Sequence, residues 1–297
     1  MAGLVGLAGT VVRQGTQATV RWSWQAGNMS DYPTLNSFDF PVALAVSDSR
    51  TVQTITGETD TTFRWASVTK PLAAWAALVA VDRGHLGLDD PAGPDGATVR
   101  HLLAHASGLP FEEGPTQSPE KRRVYSNAGF ETLAEHVAGA VDRPFEEWTR
   151  AAVLEPLEMD SVTLTGSAAH GAEGTIVDLL ALALELLVPT LISAELAEQA
   201  RTVQFPGLSG VLPGYGRQEE NAWGLGLEIR DDKSPHWTAE QNSPSTFGHF
   251  GQSGSFVWVD PEADLTAVFL GEKSFNQDIH VPLWPPLNSE ILEAHRN

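Results

Sequence analysis

The chain has 297 residues, 42% of them hydrophobic, enough for a sizeable core in one large domain or two interleaved lobes. Asp and Glu number 38 against 18 Lys and Arg, a formal charge of −20, so its surface repels phosphate backbones and anionic lipids. There are no cysteines, which excludes disulfides, thiolate catalysis and Cys-ligated metals.

The N-terminus, Met1 to Val12, is apolar but has no positive charge ahead of the apolar run, so it is not built as a secretory signal. The longest apolar stretch, Thr175 to Ser193, is interrupted by Asp178, Glu185 and Pro189 and is too broken to span a bilayer. A soluble, cytoplasmic protein is therefore expected, with neither nucleic acid nor membrane as partner. The densest basic run, Lys121-Arg122-Arg123, reads as a solvated loop.

Residues 1–35 fit an edge strand, a helix or an extension equally well. From Pro41 the pattern sharpens. Val42 to Val46 and Thr51 to Thr56, parted by Ser47-Asp48-Ser49, read as a hairpin. A helix runs from Ser67 to about Arg83, with Leu72, Trp75, Ala76 and Val79 at helical spacing and Gly84 as its stop. Pro71 is tolerated in its first turn, where backbone N–H groups have no intrahelical acceptor. Thr98, Ser126, Thr175 and Ser193 are candidate caps for further helices, and Pro144 suits the first turn of another. Trp223 to Ile229 reads as a strand. Phe256 to Val259 and Leu265 to Leu270 flank an Asp260-Pro261 turn and read as a hairpin, and Ile291 lies in a closing helix. Strands at both ends with helices between predict an α+β fold. One antiparallel sheet is drawn from both chain ends, and a mostly helical lobe is inserted. The expected division is an extension at 1–35, a sheet lobe at 36–79 plus 221–297, and a helical lobe at 80–220, with the active site between the lobes.

Three short segments can carry chemistry. Ser67-Val68-Thr69-Lys70 is an S-x-x-K at a helix start. A serine hydroxyl needs a base, and a lysine one helical turn away is that base once its pKa falls well below ~10.4. Taken alone, the pattern also fits an N-cap serine followed by a surface lysine. Tyr125-Ser126-Asn127 brings a phenol that can shuttle protons, partly as phenolate, and an amide that can hold a substrate carbonyl or the lysine. Its bland alternative is a core tyrosine beside a helix cap. Gly248-His249-Phe250-Gly251-Gln252-Ser253-Gly254-Ser255 leads into a strand, and glycines there let a ligand approach the backbone, or simply make a turn.

In their order and spacing the three segments resemble the serine β-lactamase and penicillin-binding-protein superfamily, in particular its class C branch, which includes esterases and D-amino-acid peptidases. The segments FRWASVTK (63–70), VDRGHLGLDDP (81–91), VRHLLAHASGLP (99–110), the stretch 124–164 and Trp223-Gly224-Leu225-Gly226 extend the likeness from about Pro41 to Glu272. The resemblance implies a β-lactamase/transpeptidase-like fold and an acyl-enzyme on Ser67. Lys70 and Tyr125 would move its proton, and Asn127, His249 and Gly251 would contact substrate. The backbone N–H groups of Ser67 and Gln252 would form the oxyanion hole. No metal or organic cofactor is implied. His249 stands where many relatives carry a lysine. A histidine is mostly neutral at pH 7, which favours an uncharged ester or amide over a carboxylate-bearing substrate. The segment Gly171 to Thr175 is a poor version of the family's glycine-rich stretch.

The expectation is a serine hydrolase of small esters or amides. A β-lactamase or D-amino-acid peptidase is the enzymatic alternative. A non-catalytic or slow-turnover ligand sensor on the same fold is the alternative of another class. A nucleophile elbow G-x-S-x-G is missing. His101 and His105, four apart, lack the H-E-x-x-H of a zinc hydrolase, and His105 is expected to bond backbone. Trp65, Trp75 and Trp148 fit core or cleft-wall positions, while Trp22, Trp24 and Trp237 stay open.

Overall fold

A computed structural model describes residues 31–295 in full, together with the backbone of two strands ahead of them. Those strands, β1 (Gly9–Gln14) and β2 (Thr19–Trp24), pair antiparallel, so the N-terminal region contributes a β-ribbon. The side chains of Trp22 and Trp24 lie outside the described residues.

After β1 and β2 come β3 (Val42–Asp48), β4 (Val52–Gly57) and the two-residue β5 (Phe63–Arg64). Five helices and two short strands follow: α1 (Thr69–Asp82), α2 (Val99–Leu103), α3 (Asn127–Val141), α4 (Phe145–Thr149), β6 (Thr163–Leu164), β7 (Ala172–Gly174) and α5 (Ile176–Leu187). After α6 (Ala194–Ala200) come the β8 (Gly210–Leu212) and β9 (Gly216–Gln218) ribbon, then β10 (Glu228–Ile229), β11 (Phe247–Gly251), β12 (Ser255–Asp260), β13 (Leu265–Gly271) and α7 (His280–His295).

The main sheet runs β10-β11-β12-β13-β3-β4, antiparallel throughout, so both ends of the chain build it as the sequence pattern predicts. Strand alternation sets its two faces. Ala43, Ala45, Val257, Val259, Val268 and Leu270 point into the core shared with α1 and α5. Leu44, Val46, Phe256, Trp258, Ala267 and Phe269 point the other way, against α7. Both faces are therefore covered, and β12 and β13 are buried at every position.

The caps are local and behave as expected. Ser126 Oγ accepts from the Gly129 N–H at 2.8 Å and starts α3. Thr175 and Asp178 form a reciprocal capping box on α5. Helix α1 is buried on all sides from Thr69 to Ala80, as befits a helix threaded through the core. Trp65, Trp75 and Trp148 are core residues, and so is Trp237.

Two expectations need correction. The stretch from Trp223 to Ile229 is a strand only at Glu228 and Ile229. Ahead of them Gly224 lies against the Ala200 carbonyl, and Gly226 turns the chain at φ 79° directly over α1. Arg123 is not part of a solvated loop: it is 3% exposed. Its guanidinium donates to the carbonyls of Ala104, Gln204, Phe205 and Asn221 at 2.6–3.0 Å, which ties the α2–α3 connection to the segments on either side of the β8–β9 ribbon.

A Cβ at Gly226 would sit 2.1 Å from Ala74 Cβ, and its positive φ is one that L-residues avoid. Gly226→Ala is expected to cost about 2–4 kcal/mol, the sum of left-handed strain and overpacking. Denaturant titration beside wild type checks this; an unchanged midpoint would show that α1 yields freely at Ala74.

Candidate active site

Ser67 is delivered by a tight turn. Residues Ala66–Val68 form a single 3₁₀ turn that runs straight into α1. Ala66 holds φ 46°, a left-handed value that costs an alanine roughly 1–2 kcal/mol. The turn is fastened from the sheet: Ser255 Oγ donates to the Trp65 carbonyl at 3.1 Å, and a Cβ at Gly251 would lie 2.4 Å from that same oxygen. Gly251 is thus needed for close approach between β11 and the Ser67 turn, which brings Gln252 to the cleft beside Ser67.

Five of the expected site residues, Ser67, Tyr125, Asn127, His249 and Gln252, line one cleft of about 900 Å³. Lys70 lies behind it, 0% exposed. Its ammonium donates to Asn127 Oδ1 at 2.6 Å and to the Ala169 carbonyl at 3.0 Å, and stands 4.6 Å from the centre of the Tyr125 ring. No carboxylate among the described residues touches it directly. Burial pushes its pKa down to about 7, with the more distant Glu131 and Glu112 pulling the other way.

The Tyr125 hydroxyl is buried and makes no formed hydrogen bond. Burial raises its pKa above the ordinary tyrosine value; the Ser67 hydroxyl, close by, opposes this, and the Glu228 charge adds to it. The phenol therefore stays protonated, against the expectation of a partial phenolate.

His249 is 4% exposed, and its Nδ1 lies 2.6 Å from the Phe250 carbonyl. A carbonyl only accepts, so Nδ1 carries the proton and Nε2 is left as a bare acceptor. Burial, reinforced by the Lys70 charge, lowers the imidazole to about 3. The side chain is neutral, as its residue type suggested. His105 has the opposite tautomer: Nδ1 accepts from the Ser126 N–H at 3.1 Å, the backbone bond expected of it. His101 caps α2 through Thr98 and faces Glu120 at 3.2 Å. Among the described residues no group of three or more His, Asp or Glu is placed to hold a metal.

Several contributors were not foreseen. Glu131, one turn into α3, accepts from Ser167 Oγ and from the Ala168 and Ala169 N–H groups at 3.2 and 3.3 Å. It thereby fixes the loop whose Ala169 carbonyl receives Lys70. Glu112 accepts from Asn127 Nδ2 at 3.2 Å and so holds the amide with its oxygen toward Lys70. Gly174 packs under the Trp65 ring, where a Cβ would come within 2.9 Å, so the poorly matching Gly171–Thr175 stretch still needs its glycines. Glu228 is buried at the cleft wall. Burial alone would raise its pKa, but Lys233 at 2.8 Å and His236 at 3.0 Å hold the carboxyl well below the usual range, and Trp237 Nε1 donates to it at 2.6 Å. A carboxylate inside the apolar run Leu225–Ile229 was the available signal, since such a charge must be paired.

The Beta-lactamase family model matches residues 1–284, reaching beyond the Pro41–Glu272 segment that carries the motif likeness. The chain belongs to the β-lactamase family. It is similar to a crystal structure of a β-lactamase from Mycobacterium bovis, at 48% identity over 90% of this chain and 100% of that one, with a TM-score of 0.88. It is also similar to Esterase EstB of Burkholderia gladioli, 46% identical over 66 residues, which are 18% of this chain and 17% of that protein. A third relative is the D-alanyl-D-alanine-carboxypeptidase/endopeptidase AmpH of Escherichia coli K12, 25% identical over 158 residues, 40% of this chain and 41% of that protein. The chain thus matches less than half the length of these curated relatives. No helix among the described residues is long and apolar enough to cross a membrane.

Replacing the Asn127 acceptor takes away a hydrogen bond that favours the charged lysine. Asn127→Leu is expected to lower the Lys70 pKa below 7 by on the order of one unit. The titration of ¹³C-labelled Lys70 by NMR reads this directly; an unmoved midpoint would show that burial alone sets the value.

Proposed function

We propose that the protein is a serine hydrolase that cleaves small esters or amides, with no charge beside the scissile bond, through an acyl-enzyme on Ser67. The observation that carries this reading is Lys70: a buried ammonium, held only by uncharged acceptors and lowered to about 7, in the same site as the Ser67 hydroxyl and the Tyr125 phenol. A lysine in that state is half neutral at pH 7 and can accept the serine proton.

In this mechanism Ser67 Oγ attacks the carbonyl carbon as its proton leaves toward Lys70. Tyr125, kept protonated, passes a proton onward to the leaving group and recovers one from Lys70. The carbonyl oxygen becomes an oxyanion, for which the Ser67 and Gln252 backbone N–H groups are the proposed donors. Asn127, engaged by Lys70 and Glu112, acts chiefly by orienting the lysine. Water then attacks the acyl-enzyme with the proton path reversed. No step calls on a metal or cofactor. Neutral His249 presents an acceptor to the cleft, which suits substrates without a carboxylate beside the scissile bond.

A second reading, β-lactam hydrolysis, is favoured by the 48% identical relative described as a β-lactamase. The first test is therefore turnover of p-nitrophenyl butyrate beside nitrocefin by wild type and Ser67→Ala. Ester turnover that the mutation abolishes, with little nitrocefin cleavage, is the expected result. Fast nitrocefin cleavage would replace the esterase reading. No turnover of either by folded protein, with a stable mass adduct, would make this a slow-turnover sensor.

The base assignment predicts an acid limb. Neutral Lys70 is the active form, so kcat/KM should rise with pH, tenfold per unit below about 7, and level off above it. Lys70→Ala should remove activity and leave a folded protein; wild-type rates in that variant would refute the assignment.

His249→Lys should shift preference toward substrates with a carboxylate beside the scissile bond, read as the nitrocefin to p-nitrophenyl butyrate ratio. An unchanged ratio would mean that position 249 does not meet that part of the substrate.

A further inference from the structure

The cleft has an annex of opposite character. Between Phe111 and the β8–β9 ribbon lies a second cavity of about 270 Å³ that shares Phe111, Tyr125 and Pro213 with the main cleft. Its wall holds two of the three large hydrophobic residues that stand exposed among the described residues, Phe111 at 52% and Val211 at 59%. Both side chains line the same cavity, so a ligand chain lying there would bury apolar surface against them.

Charge separates the two compartments. Glu58, Glu112, Glu228 and Glu272 reach the main cleft, and its arginine, Arg64, leans toward Glu173 at 3.8 Å. The annex is lined by Arg122, Arg123 and Arg217 and by no carboxylate. Arg217 pairs only with exposed Glu219 at 3.1 Å, a contact of small value in water. Arg122 has no ion-pair partner among the described residues. The Arg123 guanidinium is spent on four backbone carbonyls, and its backbone N–H donates to the Ser209 carbonyl at 2.9 Å, so the annex floor is rigid. Three arginines around one cavity are a local concentration of cations in a chain with 18 cations against 38 anions, with Glu219 and Glu220 outside the cavity lining.

We propose that this annex is a specificity subsite for the far end of the acyl chain, and that it selects an aliphatic chain ending in an anion, such as a hemiester. The inference rests on the acyl-hydrolase reading above. Phe111 and Val211 cover the methylenes, and Arg122 and Arg217 meet the terminal carboxylate. The scissile carbonyl stays at Ser67, where neutral His249 supplies no competing cation. The position of the anion along the substrate is what the site reads: disfavoured next to the reacting bond, favoured several methylenes away.

The test compares mono-p-nitrophenyl adipate with p-nitrophenyl hexanoate, its neutral match in chain length. Wild type is expected to favour the hemiester by about fivefold in kcat/KM at low salt, mainly through KM. The preference should shrink in roughly 0.5 M NaCl. Arg122→Glu/Arg217→Glu should invert it. Val211→Trp, which fills the cavity, should lower the hexanoate to acetate ratio. Ser67-dependent turnover of hexanoate with no preference for adipate, or a preference that survives the charge reversal, overturns the annex and leaves the hydrolase reading standing. No turnover of any ester overturns both.

Discussion

The chemistry proposed for this protein rests on holding one ammonium, that of Lys70, out of water without a carboxylate in contact. Desolvating a charge costs several kcal/mol unless partners compensate. A carboxylate in contact with Lys70 would offset that cost and restore an ordinary, protonated lysine. The protein instead supplies an amide oxygen and a peptide carbonyl, with the face of Tyr125 nearby. Its carboxylates, Glu131 and Glu112, are kept one residue removed and fix the acceptors in place. Lys233 makes the contrast within the same molecule: equally buried, it touches Glu228 and two backbone carbonyls and serves as a structural tie. Burial lowers the Lys233 ammonium too, but there the Glu228 carboxylate in direct contact opposes the shift, whereas no carboxylate among the described residues touches Lys70.

The same economy of charge runs through the cleft. His249 is locked as a neutral acceptor by one carbonyl, and His105 is locked in the other tautomer by one N–H. Tyr125 is kept a phenol. Beside these uncharged neighbours, burial brings the Lys70 pKa down to about 7.

Much of this was legible in the sequence because it is written in short range. Helix starts at Ser126, Thr175 and Ser193 follow from hydroxyls that reach their own backbone within three residues. The pairing of β3 with β4 and of β12 with β13 follows from apolar runs around polar turns. The three motif segments could be ranked together, although each is weak alone, because their order and spacing resembled a known family. What stayed hidden is set by tertiary placement. The Ala169 carbonyl reaches Lys70 across 99 positions of sequence, and a backbone oxygen leaves no trace in a residue pattern. Arg123 looked solvated because its acceptors are carbonyls from distant segments. The Trp223–Ile229 stretch has strand composition, yet Gly224 and Gly226 are there for close backbone approach, and the turn they make overrides propensity.

The sheet has a consequence for how the chain comes into being. Strand β3 pairs on one side with β4, its neighbour in sequence, and on the other with β13, from Leu265↔Asp48 to Gly271↔Val42. During synthesis at about 5–20 residues per second, the open edge of β3 waits on the order of 10–40 s for that partner to leave the ribosome. Its inward residues, Ala43 and Ala45 on one face and Leu44 and Val46 on the other, are apolar throughout. An unpaired apolar edge of this kind is a template for the wrong strand. The helical segment translated in the interval includes α5, which packs against β3 in the finished fold, so the nascent hairpin can be shielded on one face before its edge is closed. The time that this edge stays open is therefore set by the pace of translation between Asp48 and Leu265, a property that no inspection of the finished cleft would reveal.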